Sequence, residues 1–326
     1  MREIELITLT SETGFIVQVL TFGGIIHKVM AKDKHDVRNN VVLNYDHIDD
    51  YKKNDLFLGC IVGPVAGRTK KGLIEVDNLS IQLDTSCHPN SLHSCLDGLH
   101  LINWDIKSKS ISKLILSHQS EDYNCMIDYE ISYCVTGETL SIDYHAKVSS
   151  SVYLSLTNHS YFNLTGNPEN QIIHHRLKLN CTHYAKLDEE NLPVELVPLT
   201  KTALDFSEYK SIKSALEDSS DDIAMASGID HPFRHGASGT VAELMDLESG
   251  IIMKVQTTQP YVVVYSGNFL ETSASPSGKT FGKHTGICFE TQDLPNIAAN
   301  KLDHIRLVTP ESPYSSTTSF TFSTLG

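Results

Sequence analysis

The stretch LSIDYHAKV, residues 140–148, alternates apolar and polar side chains at every position. Alternation with a period of two places the apolar residues on one face of an extended strand, so it predicts a half-buried β-strand. The pattern recurs in segments rich in Val, Ile, Tyr and Thr that are separated by Gly, Asn, Asp and Ser. Further predicted strands include GFIVQVL (14–20), NVVLNY (40–45), KLILSHQ (113–119), SVYLSL (151–156), YVVVYS (261–266) and SFTFS (319–323).

Helical periodicity is rare beside these strands. The best candidate is SIKSALEDS (211–219), a short helix for which Ser211 is a suitable N-cap. Many strands with hardly any crossover helices favour an antiparallel sandwich or barrel over a doubly wound sheet. Because no Pro/Ser-rich linker and no change of composition divides the chain, we predict one all-β domain over residues 1–326.

The composition excludes several kinds of partner. The net charge of −14 argues against nucleic acid or an anionic membrane, because binding phosphate needs a basic face. No segment approaches the ~20 apolar residues of a membrane-spanning helix, and the N-terminus has no apolar signal core. The 7 cysteines include no C-x-x-C pair and favour free thiols in a reducing cytosol. We therefore expect a cytoplasmic protein.

Two segments combine strand-forming residues with groups that can transfer protons. ICFETQDLPN (287–296) places Glu290 where a predicted strand ends in a turn, either as a solvated strand-end residue or as a positioned acid or base. SLTNHSYFNLTG (155–166) surrounds His159 with polar residues and an aromatic pair. A lone strand histidine is more often a core residue bonded to a carbonyl, but this many polar groups need several hydrogen bonds and raise the odds of a site.

Three shorter segments carry weaker signals. HPNSLHSC (88–95) places Asn90 and His93 in a turn, where a histidine is usually only a surface residue. GPVAGRTKKG (63–72) lacks the spacing of a phosphate-binding loop, but its small residues would let Arg68 approach a ligand. In GIDHPF (228–233), Asp230 precedes a turn that it could simply cap. No histidine spacing matches a known metal motif, so we expect neither a metal nor a nucleotide cofactor.

Taken together, NSLH, LTNHSYFNLTG, GIDHPF, SGNF and FETQDLPN resemble, in order and separation, the aldose 1-epimerase (galactose mutarotase) family. The resemblance extends from FGGIIHKV (22–29) to the C-terminal TSFTFS and covers nearly the whole chain. It implies a large antiparallel β-sandwich, the galactose mutarotase-like supersandwich, with an open cleft for a monosaccharide. It also implies an enzyme, monomeric or homodimeric, that interconverts the α and β anomers of an aldose of the glucose or galactose type.

The resemblance assigns a role to each candidate. Glu290 corresponds to the general base of the family and His159 to its general acid. Arg68, His93, Asp230 and Asn90 are expected to bind the sugar, with His93 near the ring oxygen.

The sequence departs from the family pattern at a few positions. The family often has Arg where Pro64 stands, Asn at Gly67 and Gln at Val263, and it usually has Gly-Gly in place of Ser94-Cys95. Because amides that face the ligand are missing, we expect the recognition of sugar hydroxyls to differ.

The chemistry explains why one acid and one base are needed. Opening the hemiacetal requires a base for the C1 hydroxyl proton and an acid for the ring oxygen, which we expect on opposite sides of the C1–O5 bond. Rotation about C1–C2 and reclosure then give the other anomer. A glycosidase could use Asp230 and Glu290 as its carboxylate pair, but it would leave the His159 segment unexplained, and a sugar-phosphate epimerase would need more basic residues than Arg68. The alternative that stays open is a non-catalytic sugar-binding or sensing protein on the same fold, which has no use for a matched acid and base.

Overall fold

The computed structural model describes residues 3–86, 89–236 and 239–325 of the chain. Its strands are β1 (Leu6–Thr10), β2 (Ile16–Leu20), β3 (Ile26–Lys32), β4 (Arg38–Asn40), β5 (Ile61–Val62), β6 (Arg68–Thr69), β7 (Leu73–Val76), β8 (Leu79–Gln82), β9 (Ser91–Leu92), β10 (Asp105–Lys109), β11 (Lys113–Asp122), β12 (Cys125–Thr136), β13 (Thr139–Val148), β14 (Thr157–Asn158), β15 (Arg176–Leu179), β16 (Cys181–Leu187), β17 (Pro193–Pro198), β18 (Lys210–Ser211), β19 (Asp230–His235), β20 (Gly239–Met245), β21 (Ile251–Thr257), β22 (Tyr261–Tyr265), β23 (Cys288–Gln292) and β24 (Tyr314–Thr324). The α-helices are α1 (Ile212–Leu216), α2 (Asp221–Met225) and α3 (Ile297–Asn300). Short 3-10 helices span Ile48–Lys53, Lys70–Gly72, Cys95–Asp97, Leu99–Leu101, Ile172–His174 and Leu270–Thr272.

Three antiparallel sheets make up most of the architecture. The largest has nine strands in the order β10-β11-β12-β13-β24-β21-β20-β15-β18. The second has five strands in the order β17-β16-β19-β22-β23, and the third has four, β1-β2-β3-β4. Two-stranded pairs join β14 with β5, β6 with β9, and β7 with β8. The predicted all-β, antiparallel class is confirmed.

Strand prediction was right where alternation was complete. Within β13, Leu140, Ile142, Tyr144 and Ala146 are all buried, as the alternation predicts. The strands predicted at 14–20, 113–119, 261–266 and 319–323 are present as β2, β11, β22 and β24.

Two predicted strands are wrong. At 40–45, β4 ends at Asn40, and 151–156 forms only isolated bridges. The second segment is buried on both sides, and its N–H groups bond to separate parts of the chain instead of one neighbouring strand: Val152 to Val308, and Ser155 to Pro64.

The short helix predicted at 211–219 is present as α1, and Ser211 occupies its N-cap position as predicted. Ser211 precedes the helix with extended backbone angles, and its side chain makes no capping bond. Its Oγ instead donates to the carbonyl of Ile173 at 3.0 Å.

Aromatic side chains join the two largest sheets. Phe289 of β23 and Phe320 of β24 pack on Phe162, with ring centroids 6.5 and 4.9 Å away. On the same face of β23, the hydroxyl of Thr291 lies 2.5 Å from that of Thr318. Because successive side chains of a strand point to opposite faces, Glu290 points away from this core.

The prediction of free thiols is right for five of the described cysteines and wrong for one. The free ones are Cys60, Cys125, Cys134, Cys181 and Cys288. Cys95 is disulfide-bonded, and Cys87 lies outside the described residues. Among the residues that the structure describes, no helix is long and apolar enough to cross a membrane.

Candidate active site

A cavity of about 200 Å³ opens on the face of the five-stranded sheet that points away from the core. Its walls include Glu290, His159, His93, Arg68 and Asp230. The structure thus brings together five of the six site residues predicted from the sequence, although they come from five separate segments.

Cross-strand rows of side chains build the floor of the cavity. Pro232 of β19, Val263 of β22 and Glu290 of β23 are register partners. Asp230 lies two residues before Pro232, and Tyr265 lies two residues after Val263. Asp230 and Tyr265 are register partners and form part of the next row. Residues i and i+2 of a strand share a face, so both rows face the cavity.

Backbone hydrogen bonds fix His159 beside this floor. Its N–H donates to the carbonyl of Cys60 at 2.9 Å, and its carbonyl accepts from the N–H of Gly59 at 3.0 Å. The Asn158 amide donates to the same two residues, Gly59 and Cys60, at 2.8 and 3.2 Å. Asn158 therefore helps to hold the backbone that presents the imidazole.

His159 and Glu290 form a close pair. The Nε2 atom of His159 lies 3.6 Å from Oε1 of Glu290, and both side chains are almost fully buried. This separation is too long for a direct hydrogen bond and too short for a sugar ring to lie between the two groups. The two groups therefore lie on the same wall of the cavity, not on opposite sides of it.

Burial shifts the pKa values of the pair in opposite directions. It raises the pKa of Glu290 to about 8, helped by the nearby Asp230 carboxylate and opposed by Arg68. It lowers the pKa of His159 to about 4. The pair therefore carries one proton between these limits, and burial favours the neutral arrangement with that proton on Glu290.

His93 is held as a neutral hydrogen-bond donor. Its Nδ1 accepts a hydrogen bond from the N–H of Gly67 at 3.2 Å. A neutral imidazole that accepts at Nδ1 carries its proton on Nε2, so His93 has an N–H to donate at Nε2. Burial and the neighbouring His159 lower its pKa well below the ordinary value. Phe57 packs against the ring, with the centroids 4.8 Å apart.

Arg68 and Asp230 provide paired donors and acceptors at the cavity wall. Nη1 of Arg68 lies 3.5 Å from Oδ2 of Asp230, and both side chains remain partly exposed. Burial raises the pKa of Asp230, while Arg68 lowers it. Gly67 has a φ of +78°, and a Cβ there would lie 2.8 Å from Cγ of Pro295. The glycine therefore permits this close approach of the chain.

Asn90 is the predicted site residue that the structure does not bring to the cavity lining. It is buried, and its Oδ1 accepts a hydrogen bond from the N–H of Lys71 at 2.9 Å. Ser91 next to it pairs with Thr69 in the small sheet that carries Arg68. Asn90 thus supports the chain around the cavity.

Several cavity residues were missed from the sequence. Gln292 lies two positions after Glu290 on the same face of β23, and its buried Oε1 has no hydrogen-bond partner among the described residues. The period of two could have identified it. Tyr161 and Tyr265 stood in the quoted motifs, whereas nothing in the sequence around Phe57 indicated a site.

The departures from the family pattern divide into two kinds. Gly67 and Val263 line the cavity and offer it no side-chain amide. Pro64 and Ser94 are structural: the Pro64 carbonyl accepts from the N–H of Ser155, and Oγ of Ser94 accepts from the N–H of Val65 at 2.9 Å. Only the first kind can alter hydroxyl recognition directly.

The site also has the composition of a metal site. One ligand atom from each of His93, His159 and Glu290 lies within 4.8 Å of the others. Two imidazoles and a carboxylate would suit Zn²⁺, but a ligating histidine usually donates its other N–H to an acceptor. Nδ1 of His93 instead accepts from Gly67, which leaves the proton on Nε2. His93 does not fit the role of a ligand while this bond is made.

Comparison with known proteins agrees with this geometry. A family model described as aldose 1-epimerase matches residues 5–321. Galactose mutarotase of Pongo abelii is 31% identical over 315 residues, which are 94% of this chain and 91% of that protein. An aldose epimerase homologue from C. elegans superposes with a TM-score of 0.90 at 22% identity, covering 99% of this chain and 100% of that one. Galactose 1-epimerase from Lactobacillus acidophilus superposes with a TM-score of 0.87 at 26% identity, covering 100% of this chain and 96% of that one.

The chain belongs to the aldose 1-epimerase family. The predicted fold, a galactose mutarotase-like sandwich, is confirmed. So is the predicted class of function: the chain is an enzyme that interconverts the α and β anomers of an aldose.

Proposed function

We propose that Glu290 is the general base and His159 the general acid of this interconversion. The observation that supports the assignment is the pair itself, two buried proton carriers 3.6 Å apart on the wall of the cavity. Glu290 takes the proton of the C1 hydroxyl while Nε2 of His159 gives its proton to the ring oxygen, and the C1–O5 bond breaks. The open aldehyde turns about C1–C2, and both transfers run backwards on the other face.

The pair must first redistribute its single proton. The reaction needs Glu290 as carboxylate and His159 as imidazolium, whereas burial favours the arrangement with both groups neutral. The two arrangements hold the same number of protons, so one proton moved from Glu290 to Nε2 converts the resting form into the reactive one. Arg68 lowers the pKa of Glu290 and so favours the carboxylate.

The remaining groups orient the sugar. His93 donates from Nε2 toward the ring oxygen, which is compatible with its neutral state. Arg68 and Asp230 hold hydroxyls remote from C1, and Gln292 offers a further acceptor. Fixing the substrate in one orientation is worth several orders of magnitude in rate. None of these steps involves a metal or a nucleotide.

The substrate we propose is a free hexose of the glucose or galactose type, in line with the names of the relatives. We also propose one domain over residues 1–326, since the larger of two core clusters contains residues from Ile7 to Phe322. Cytoplasmic location is supported by the free thiols and opposed by the disulfide at Cys95. Cell fractionation decides the location, and light scattering decides between monomer and homodimer.

Polarimetry tests the substrate. Freshly dissolved α-glucose and α-galactose should relax to their anomeric equilibria much faster with the protein than with buffer alone. A protein that binds these sugars in calorimetry without changing either relaxation rate would contradict the proposed substrates.

A further inference from the structure

Cys288 makes a contact with His159 that the reaction scheme has not used. It lies two residues before Glu290 on β23 and therefore points to the same side of the strand. The residue is completely buried, and its Sγ lies 3.5 Å from Nδ1 of His159. The sulfur thus faces the one ring nitrogen of His159 that is turned away from Glu290.

The two histidines differ in the group that faces Nδ1. An imidazolium carries a proton on both nitrogens and therefore needs an acceptor at each. Nδ1 of His93 faces the N–H of Gly67, a donor, so His93 cannot take a second proton without losing that bond. Nδ1 of His159 faces a sulfur, which can accept.

We propose that Cys288 is a positioning residue whose Sγ accepts a hydrogen bond from Nδ1–H of His159 and holds the ring in the tautomer that reacts. The inference rests on the proposed role of His159 as acid. When the imidazolium gives its Nε2 proton to the ring oxygen, the neutral ring keeps its proton on Nδ1. The Nε2 lone pair then faces the open sugar and takes the proton back on closure.

A thiol suits this task because it accepts without charge. Burial and the neighbouring Glu290 raise the pKa of Cys288 well above its ordinary value, so the sulfur stays protonated. A carboxylate at the same place would stabilise the imidazolium and make it a weaker acid. The carbonyl of His159 itself also lies against the ring and raises the pKa of His159, while it accepts from the N–H of Gly59 at 3.0 Å.

Several titratable groups surround the imidazole of His159. His93 and Tyr161 lie with ring centroids 5.4 and 5.0 Å away, and Tyr265 lies at 6.3 Å. Glu290 faces Nε2, and the nearby His100 lowers the pKa of His159. Of these side chains, that of Cys288 places a polar atom within hydrogen-bonding distance of Nδ1, at 3.5 Å.

The first experiment reads the tautomer directly. ¹⁵N NMR of the imidazole of His159 should show Nδ1 protonated and Nε2 unprotonated in the resting enzyme above the pKa of the ring. Cys288→Ser should retain this pattern, whereas Cys288→Ala should shift the ring toward the Nε2–H tautomer. A wild-type ring with its proton on Nε2 would overturn the proposal. This readout does not depend on turnover, so it can fail or succeed separately from the proposed roles of Glu290 and His159.

The second experiment measures the kinetic consequence. Loss of one hydrogen bond to the acid should lower kcat by ~10-fold in Cys288→Ala with little change in KM, and Cys288→Ser should recover most of the rate. Cys125→Ala is the matched control, because it also removes a buried thiol, one that lies in the nine-stranded sheet and bonds to the carbonyl of Ser150. Equal losses in Cys125→Ala and Cys288→Ala, or an unchanged kcat in Cys288→Ala, would mean that the sulfur only fills space.

Discussion

Replacing Glu290 by Gln separates the catalytic role of the carboxyl group from its effect on stability. The substitution keeps the shape of the side chain and removes its ability to accept a proton. Loss of a positioned base should lower kcat by ~10²–10⁴-fold, which corresponds to about 2.7–5.4 kcal/mol in the activation barrier. Sugar binding should change little, because the amide can still form hydrogen bonds.

The same substitution should stabilise the fold at neutral and alkaline pH. The pKa of Glu290 rises from its ordinary 4.5 to about 8 in the folded protein, so folding takes up a proton between these values. The free energy of unfolding therefore falls as pH rises through this window, by at most about 1.4 kcal/mol per pH unit. Gln does not titrate, so the variant should lack this fall and exceed the wild type in stability near pH ~8.

Polarimetry and urea unfolding on the same preparations test both effects. The variant should be nearly inactive and at the same time more stable at about pH 8, while the two proteins should have similar stability near about pH 4.5. Glu121→Gln, at an exposed position of β11, is the control and should change neither quantity. Near-wild-type mutarotation by Glu290→Gln would remove Glu290 from the mechanism. An unchanged pH dependence of unfolding would mean that its carboxyl is not buried as described.

Four further predictions follow from the site. The pH profile of kcat/KM should be bell-shaped, falling below about 4 as the pair takes up a second proton and above about 8 as it loses its last one; a flat profile across these limits would contradict the acid–base pair. Arg68→Ala and Asp230→Ala should mainly raise KM, so unchanged kcat/KM on every active sugar would remove both from the cleft. His159→Asn should lose most of the rate while it still binds sugar in calorimetry, and His93→Asn should lose less; the reverse order would mean that the acid was assigned to the wrong histidine. Activity should survive exhaustive chelation, and rescue of an inactive metal-free preparation by one divalent ion would contradict the cofactor-free proposal.

The sequence was most informative where a local pattern decides the structure. Complete alternation at 140–148 specifies β13 because one face is buried, and the period of two places Cys288, Glu290 and Gln292 on one face of β23. Both predictions depend only on the geometry of a single strand. The strand prediction at 151–156 was wrong because this segment is buried on both sides and has no single partner strand. Pairing is a property of the whole chain, which residue types alone do not determine.

The sequence identified most residues of the candidate site, but not their distances or their hydrogen-bond partners. That His159 and Glu290 lie 3.6 Å apart, and that Asn90 bonds to Lys71 instead of lining the cavity, depend on how distant segments cross. Hydrogen-bond partners are the least predictable part. The sequence contains two candidate histidines, and only the structure shows that one faces a backbone donor and the other a sulfur.

The opposite pKa shifts of Glu290 and His159 suit the roles proposed for them as base and acid. A C1 hydroxyl is a weak acid, so a carboxylate with a raised pKa removes its proton more readily than an exposed one. A ring oxygen is a weak base, so an imidazolium with a lowered pKa protonates it more readily. Burial produces both shifts at once, but it also disfavours the charged arrangement that reacts. Groups that stabilise that arrangement, Arg68 beside the carboxylate and a neutral acceptor at Nδ1 of His159, must therefore limit this cost without restoring the ordinary pKa values.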